Sequence, residues 1–206
     1  MLPSTILKAR ESTATLVVMA AGTLALWVAG AIRLQAVRRA GYAVPGLVRP
    51  PRGAVALGVA AGAGSFLFAM LNVAVLYVIY RGNIPPRPDL EKVLGLEGIP
   101  FAVAALLVSF GAPFAEEFFF RGAIFGPFLE ARQLKRAFLV SGLLFAIAHF
   151  YMPMFAHYLV SGMAFAWVYA ETGTLWAPIA AHATLNCTAT LMLVASRLMG
   201  WRMPGT

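Results

Sequence analysis

The amino-acid sequence predicts an all-α fold, a polytopic membrane bundle of about six transmembrane or half-spanning helices. Composition is the first reason. Of 206 residues, 61% are hydrophobic and only 12% charged, whereas a soluble domain carries roughly 25% charge and about 45–50% apolar residues. The apolar residues also fall in long runs, several near the roughly 20 residues needed to cross the hydrocarbon of a bilayer. Finally, most basic residues sit at the ends of these runs, where topology and anionic headgroups place them. A soluble core this apolar would leave too few polar residues to solvate its surface.

The first run spans about Thr13 to Ile32, after Lys8, Arg10 and Glu11. It is longer than the roughly 7–15 residues of a signal-peptide core and ends at Arg33 without a clear cleavage site, so it reads as a retained span. The second runs from about Ala54 to Tyr80, and the Gly and Ala residues at its start would let helices approach closely. Residues 81–97 form the longest polar connection, with Pro85, Pro86 and Pro88 forcing extended backbone. A third run from Gly98 through Phe120 is interrupted by Pro113, which removes one backbone hydrogen bond and frees the carbonyl of Ser109. Polar residues from Glu130 to Arg136 follow. Further runs cover about Ala137–Phe150, Met154–Ala170 and Leu175–Ala195, some too short to span alone. No internal repeat or soluble segment is visible. The expected organisation is a single membrane-embedded domain, residues 1–206, with two N-terminal spans in 1–94 and a motif-bearing core at about 95–195.

The formal net charge of +8 could suggest a nucleic-acid partner, but position excludes it. Arg33, Arg38, Arg39, Arg49 and Arg52 flank two spans, and Arg132, Lys135 and Arg136 precede a third. If the 33–52 connection and the 121–136 loop share one face, nine Lys or Arg gather there against seven opposite, which narrowly favours an external N-terminus. Cys187 is the sole cysteine, so no intrachain disulfide can form.

In such a chain the informative residues are the ionisable ones at membrane depth, each costing roughly 2.5–3.5 kcal/mol at a helix centre. Glu116, Glu117 and Arg121 form the first group, followed by His149, His157, and His182 with Asn186. On a helix Glu117 and Arg121 stand i,i+4 and can neutralise each other. Glu116 projects about 100° away from Glu117 and has no partner on its own helix. His149 has Phe145 one turn back on its face, and His182 and Asn186 again stand i,i+4. His157 lacks such neighbours and reads as structural or interfacial.

A carboxylate plus a neutral imidazole can hold and deprotonate water, while a second histidine and a carboxamide can donate to an oxyanion. That is equipment for amide hydrolysis with water as nucleophile. Ser109, Ser141 and Ser161 have no histidine at a suggestive spacing. Cys187 points about 100° off the His182–Asn186 direction, which disfavours a thiol nucleophile.

Glu116-Glu117-x-x-x-Arg121, Phe145-x-x-x-His149 and His182-x-x-x-Asn186, in this order on successive apolar segments, resemble the motifs of the CPBP family. These are the CAAX proteases and bacteriocin-processing enzymes, also called Abi. The stretch Gly162 through Tyr169 to Thr172–Pro178 is similar too, and the resemblance covers about residues 95–195. Ala166 departs from the Gly often found in relatives, which bears on local packing only.

The resemblance implies an intramembrane endopeptidase in which Glu116 and His149 activate water, His182 and Asn186 stabilise the oxyanion, and Glu117 and Arg121 support them. Family members are often labelled metalloproteases. No His-Glu-x-x-His motif is present, and we read the site as metal-free. A zinc ion, if bound, would take Glu116, His149 and His182. Expected partners are the bilayer and a membrane-associated protein or peptide: a prenylated CAAX tail, a bacteriocin leader, or a C-terminal sorting segment as in the myxosortase branch. The expected location is a bacterial or archaeal cell membrane, multi-pass. The rival reading is a non-catalytic scaffold or transporter using buried charge for packing or proton relay, although the paired halves common in transporters are not visible.

Overall fold

The computed structural model describes residues 4–41, 46–87, 92–93 and 95–200; Pro88 of the proline-rich connection lies outside them. Among the described residues there are six principal helices and no strand. They are α1 (Ser4–Arg39), α2 (Ala54–Ile79), a composite α3, α4 (Leu134–Ala148), α5 (Phe155–Thr172) and α6 (Trp176–Leu198). Four are long and apolar enough to cross a membrane: Arg10–Arg39, Ala54–Ile79, Gly98–Leu129 and Trp176–Leu198. The chain is thus a multi-pass integral membrane protein.

The third run does not stop at Phe120, as its polar neighbour Arg121 suggested. Helical backbone continues through α-helical Gly98–Leu106, π-helical Leu107–Gly111, α-helical Ala112–Glu117, π-helical Phe118–Phe125 and α-helical Gly126–Glu130. These segments together are α3. Arg121 does not end the span because its charge is satisfied inside the bundle. It is therefore lost from the loop tally, leaving eight basic residues against seven and weakening the positive-inside preference further.

Pairwise contacts give the directions. Gly58 and Gly62 of α2 meet Ala177 and Ala181 of α6, so these helices run parallel. Trp27 of α1 stacks on Phe114 and Phe118 of α3 at 4.9 and 4.7 Å, and Gly30 also faces Phe118. These helices are parallel as well. Antiparallel to its neighbour, α6 sets His182 beside Glu117 and Asn186 beside Val108 of α3. One face of the bundle therefore carries the α1–α2, α3–α4 and α5–α6 connections, and the other carries the α2–α3 and α4–α5 connections. On the first face, Leu175 N–H donates to Gly46 O at 3.1 Å and Thr174 Oγ1 to Val48 O at 3.0 Å, tying two connections together.

Small residues make this packing possible, as expected where no water drives helices together. A Cβ on Gly58 or Gly62 would fall well inside contact distance of the Ala177 or Ala181 carbonyl oxygen. The α2 and α6 backbones touch there. Outward-facing positions carry apolar side chains, with Val18 71% and Leu67 69% exposed, which is where lipid tails would lie.

Replacing Gly58 or Gly62 with Ala should lower stability by about 1–3 kcal/mol through overpacking. Gly64→Ala, where nothing lies within 4 Å of the new methyl, should be neutral or slightly stabilising. Thermal unfolding in detergent distinguishes them, and equal midpoints for all three would show that the close approach is absent.

Candidate active site

Pro113 shapes the first half of the site. It cannot donate to the carbonyl of Ser109, its α-helical partner, nor to that of Val108, its π-helical partner. Both oxygens face α6. Asn186 Nδ2 donates to Val108 O at 2.8 Å, and Cys187 Sγ approaches Ser109 O at 4.0 Å. The released carbonyl expected at Ser109 is therefore one of a pair, and the stronger bond goes to Val108. Asn186 spends one N–H clamping α6 to α3, and its amide has a second.

One turn further along α3, Glu117 and Arg121 are fully buried, each 0% exposed. Arg121 Nη1 donates to Glu117 Oε1 at 3.0 Å, and Nη2 donates to Gly162 O of α5 at 2.8 Å. Its Nε lies 3.0 Å from Glu117 Oε2, but the N–H points elsewhere, so this contact is electrostatic without a hydrogen bond. The guanidinium carbon lies 4.7 Å from the Phe145 ring centroid, 5.5 Å from Phe165 and 5.8 Å from Phe120. Aromatic faces thus take up positive charge that water would otherwise solvate.

Glu117 has a second partner that the sequence did not reveal. His182 Nδ1 lies 2.9 Å from Glu117 Oε1. An ionised carboxylate only accepts, so Nδ1 donates and the ring is held with Nε2 turned away. Phe145 and Phe165 pack on this imidazole at 5.6 and 5.3 Å.

His149 caps the C-terminus of α4. Its Nδ1 lies 2.7 Å from Phe145 O, which makes Nδ1 the donor and leaves Nε2 with a lone pair. The ring sits between Phe145 at 4.6 Å and Tyr158 at 4.0 Å, the latter nearly parallel at 22°. Phe150 follows at φ 46° and is 90% exposed, so the chain turns sharply beyond the histidine. A left-handed residue commonly ends a helix, though with a side chain it costs roughly 1–2 kcal/mol. The 15 residues of α4 rise only about 22 Å, short of hydrocarbon about 30 Å thick.

Glu116 points away from the Glu117–Arg121 pair. Its Oε2 is buried without a hydrogen-bond partner, and the carboxyl lies within electrostatic reach of His182, Arg121 and Arg87. His149 and His182 are also electrostatic neighbours. The structure therefore gathers Glu116, Glu117, Arg121, Phe145, His149 and His182 into one polar cluster, with Asn186 one turn along α6 bound to α3 backbone. His157 faces α2, its ring 6.4 Å from Phe68, with Ser161 Oγ 3.4 Å from Nδ1.

A metal set is not assembled. Among the described residues, no three His, Cys, Asp or Glu side chains group closely enough to hold an ion. His149 and His182 direct Nδ1 to Phe145 O and to Glu117, which leaves Nε2 of each ring to meet whatever occupies the site.

Three neighbours of the site were passed over in the sequence. Tyr158 directly follows the isolated His157, Phe165 looks like ordinary core, and Arg87 sits in a connection that reads as solvated. Only Arg87, a cation beside a proline run, offered a signal, and it was an ambiguous one.

Glu117→Gln leaves Arg121 buried without its counter-charge, and Arg121→Met does the same to Glu117. Each should cost about 3–5 kcal/mol, as for breaking other buried pairs. Glu116→Gln should leave the thermal midpoint in detergent near wild type. Equal midpoints for all three would show that the pair carries no stability.

Residues 98–188 match the family model described as type II CAAX prenyl endopeptidase Rce1-like. The chain is 32% identical over 97 residues to the Bacillus subtilis protein named "Putative membrane peptidase YdiL". That match takes in 47% of this chain and 39% of the relative, so the shared segment is well under half of YdiL. No solved structure matches the chain significantly. The matched segment runs from the start of α3 into α6 and contains all three motifs. The chain is therefore a multi-pass helical membrane protein in which residues 98–188 are similar to the Rce1-like family.

Proposed function

We propose that this protein is an intramembrane endopeptidase that hydrolyses a peptide bond of a membrane-associated protein or peptide. One observation carries the proposal: His182 lies within electrostatic reach both of Glu116, a buried carboxylate outside the Glu117–Arg121 pair with an unbonded oxygen, and of His149, whose Nδ1 bond leaves a lone pair on Nε2. An unsatisfied buried oxygen is costly in a structural role. It is what water binding requires.

In this reading a water molecule sits between Glu116 and His149 Nε2. Glu116 takes a proton as the water oxygen attacks the scissile carbonyl carbon, forming a tetrahedral oxyanion. When the C–N bond breaks, that proton passes to the leaving amine. His182 Nε2 and the second N–H of Asn186 donate to the oxyanion. With Nδ1–H on Glu117, Nε2 donates only when the ring carries both protons, and Glu117 is the counter-charge for that state. Glu117 thereby orients His182, much as a carboxylate orients histidine in hydrolase triads. The chemistry needs no metal, and a glutamate/histidine mechanism is the one proposed.

The substrate classes suggested by the family resemblance, a prenylated CAAX tail, a leader peptide or a C-terminal sorting segment, all present a peptide at a membrane surface. The exposed Phe150 beside His149 suits such a substrate. YdiL's printed name, a membrane peptidase, points the same way.

Glu116→Gln and His149→Ala should each reduce cleavage of a membrane-anchored peptide by roughly 10³ or more while inserting and folding normally. Proteolysis retained in Glu116→Gln would favour the scaffold or transporter reading. Purified enzyme should also keep its activity after chelation. Stoichiometric zinc that is lost in His182→Ala and kept in Asn186→Ala would overturn the metal-free mechanism while leaving the peptidase reading intact.

A further inference from the structure

The connection between α2 and α3 reaches the site at two points. Tyr151 Oη donates to Pro85 O at 2.6 Å, and Arg87 Nη1 donates to Tyr158 Oη at 2.7 Å. The guanidinium carbon lies 5.8 Å from the centroid of the same tyrosine ring. Pro85-Pro86 stiffens this stretch, since proline fixes its own φ and restricts the residue before it. Residues 85–87 are thus pinned at two points at the end of the bundle where His149 lies.

Tyr158 links this segment to the chemistry. It is buried on α5, and its ring stacks on His149 at 4.0 Å and 22°. His149 itself is held loosely by the backbone. It caps a helix, and the chain leaves it through a left-handed residue, so no further helical turn braces it. The direction of Nε2 is set by the bond to Phe145 O and by the rings on either side. One of those rings is fixed at its hydroxyl by Arg87. The Arg87 charge also lies within electrostatic reach of both Glu116 and His149.

We propose that Arg87 is a positioning residue for hydrolysis: its bond to the Tyr158 hydroxyl holds the phenol flat against the His149 imidazole and so aims Nε2 at the nucleophilic water. The proposal rests on reading His149 as the group that, with Glu116, holds the nucleophilic water. It makes the α2–α3 connection part of the active site and ties the catalytic histidine to a segment outside the spans.

The test uses the full chain in detergent, with Arg87→Ala, Tyr158→Phe and the double variant, each matched to wild type by thermal midpoint. The first readout needs no substrate: the rate at which diethyl pyrocarbonate modifies His149, followed by peptide mass spectrometry. Both single variants should raise this rate severalfold, and the double variant should add nothing, because both changes break one linkage. The second readout is cleavage of a membrane-anchored peptide. Here kcat should fall roughly 10-fold or more with KM changed by less than about twofold, as for a misplaced catalytic group. An unchanged His149 rate in either single variant, or effects that multiply in the double, overturns the proposal. An inactive wild type whose His149 rates nevertheless shift as expected would sink the peptidase reading and leave the Arg87–Tyr158–His149 linkage standing.

Discussion

An ion pair with no water around it governs how this bundle is assembled. Glu117 and Arg121 are wholly buried inside an apolar span, where either charge alone would cost several kcal/mol. Their mutual attraction is not enough, because Arg121 has donors beyond those Glu117 can satisfy and Glu117 has lone pairs beyond those Arg121 can use. The rest of the structure supplies further partners. Gly162 offers a backbone carbonyl, Phe120, Phe145 and Phe165 offer ring faces, and His182 offers Nδ1–H. Four helices, α3 to α6, are thereby committed to one arrangement around a single charge cluster.

That commitment explains how the groups proposed to react are oriented. His182 is aimed by Glu117, and the same Phe145 that shields Arg121 offers its carbonyl to His149. One aromatic residue therefore joins the stabilising pair to the histidine proposed to hold the water. Glu116, rotated about 100° from Glu117 by helical geometry, is excluded from the pair and left with a buried oxygen unbonded. A paired carboxylate and one outside the pair thus stand at adjacent positions, dividing structural charge from the charge proposed to react.

The irregular features of α3 serve the same end. Pro113 and the two π-helical segments change which side chains face α6 and leave carbonyls available to it. Exposed backbone of this kind is tolerated at membrane depth only where other protein groups satisfy it. Asn186 does so for Val108, and the clamp also holds α6 at the height where His182 meets Glu117. The parallel contact of α2 with α6, backbone to backbone at Gly58 and Gly62, presses α6 into that position from the other side.

Much of this was legible in the sequence. Hydrophobic runs fixed the number and approximate placement of the helices, since crossing a bilayer demands a length of apolar chain whatever the tertiary structure. Helical periodicity paired Glu117 with Arg121, isolated Glu116, and put Phe145 behind His149, because neighbours three or four residues apart share a face in any helix. The end of α3 was misjudged for an equally physical reason. A charged residue at the edge of an apolar run looks like an interface until its counter-charge, carbonyl and aromatic partners are known, and two of those three come from other helices. The contacts of His182 with Glu117, Asn186 with Val108, and Arg87 with Tyr158 join residues 65, 78 and 71 positions apart. No local periodicity records such pairings. They were decided only when packing brought the helices to fixed heights and rotations, where leaving those polar groups unbonded in an apolar interior would have cost more than joining them.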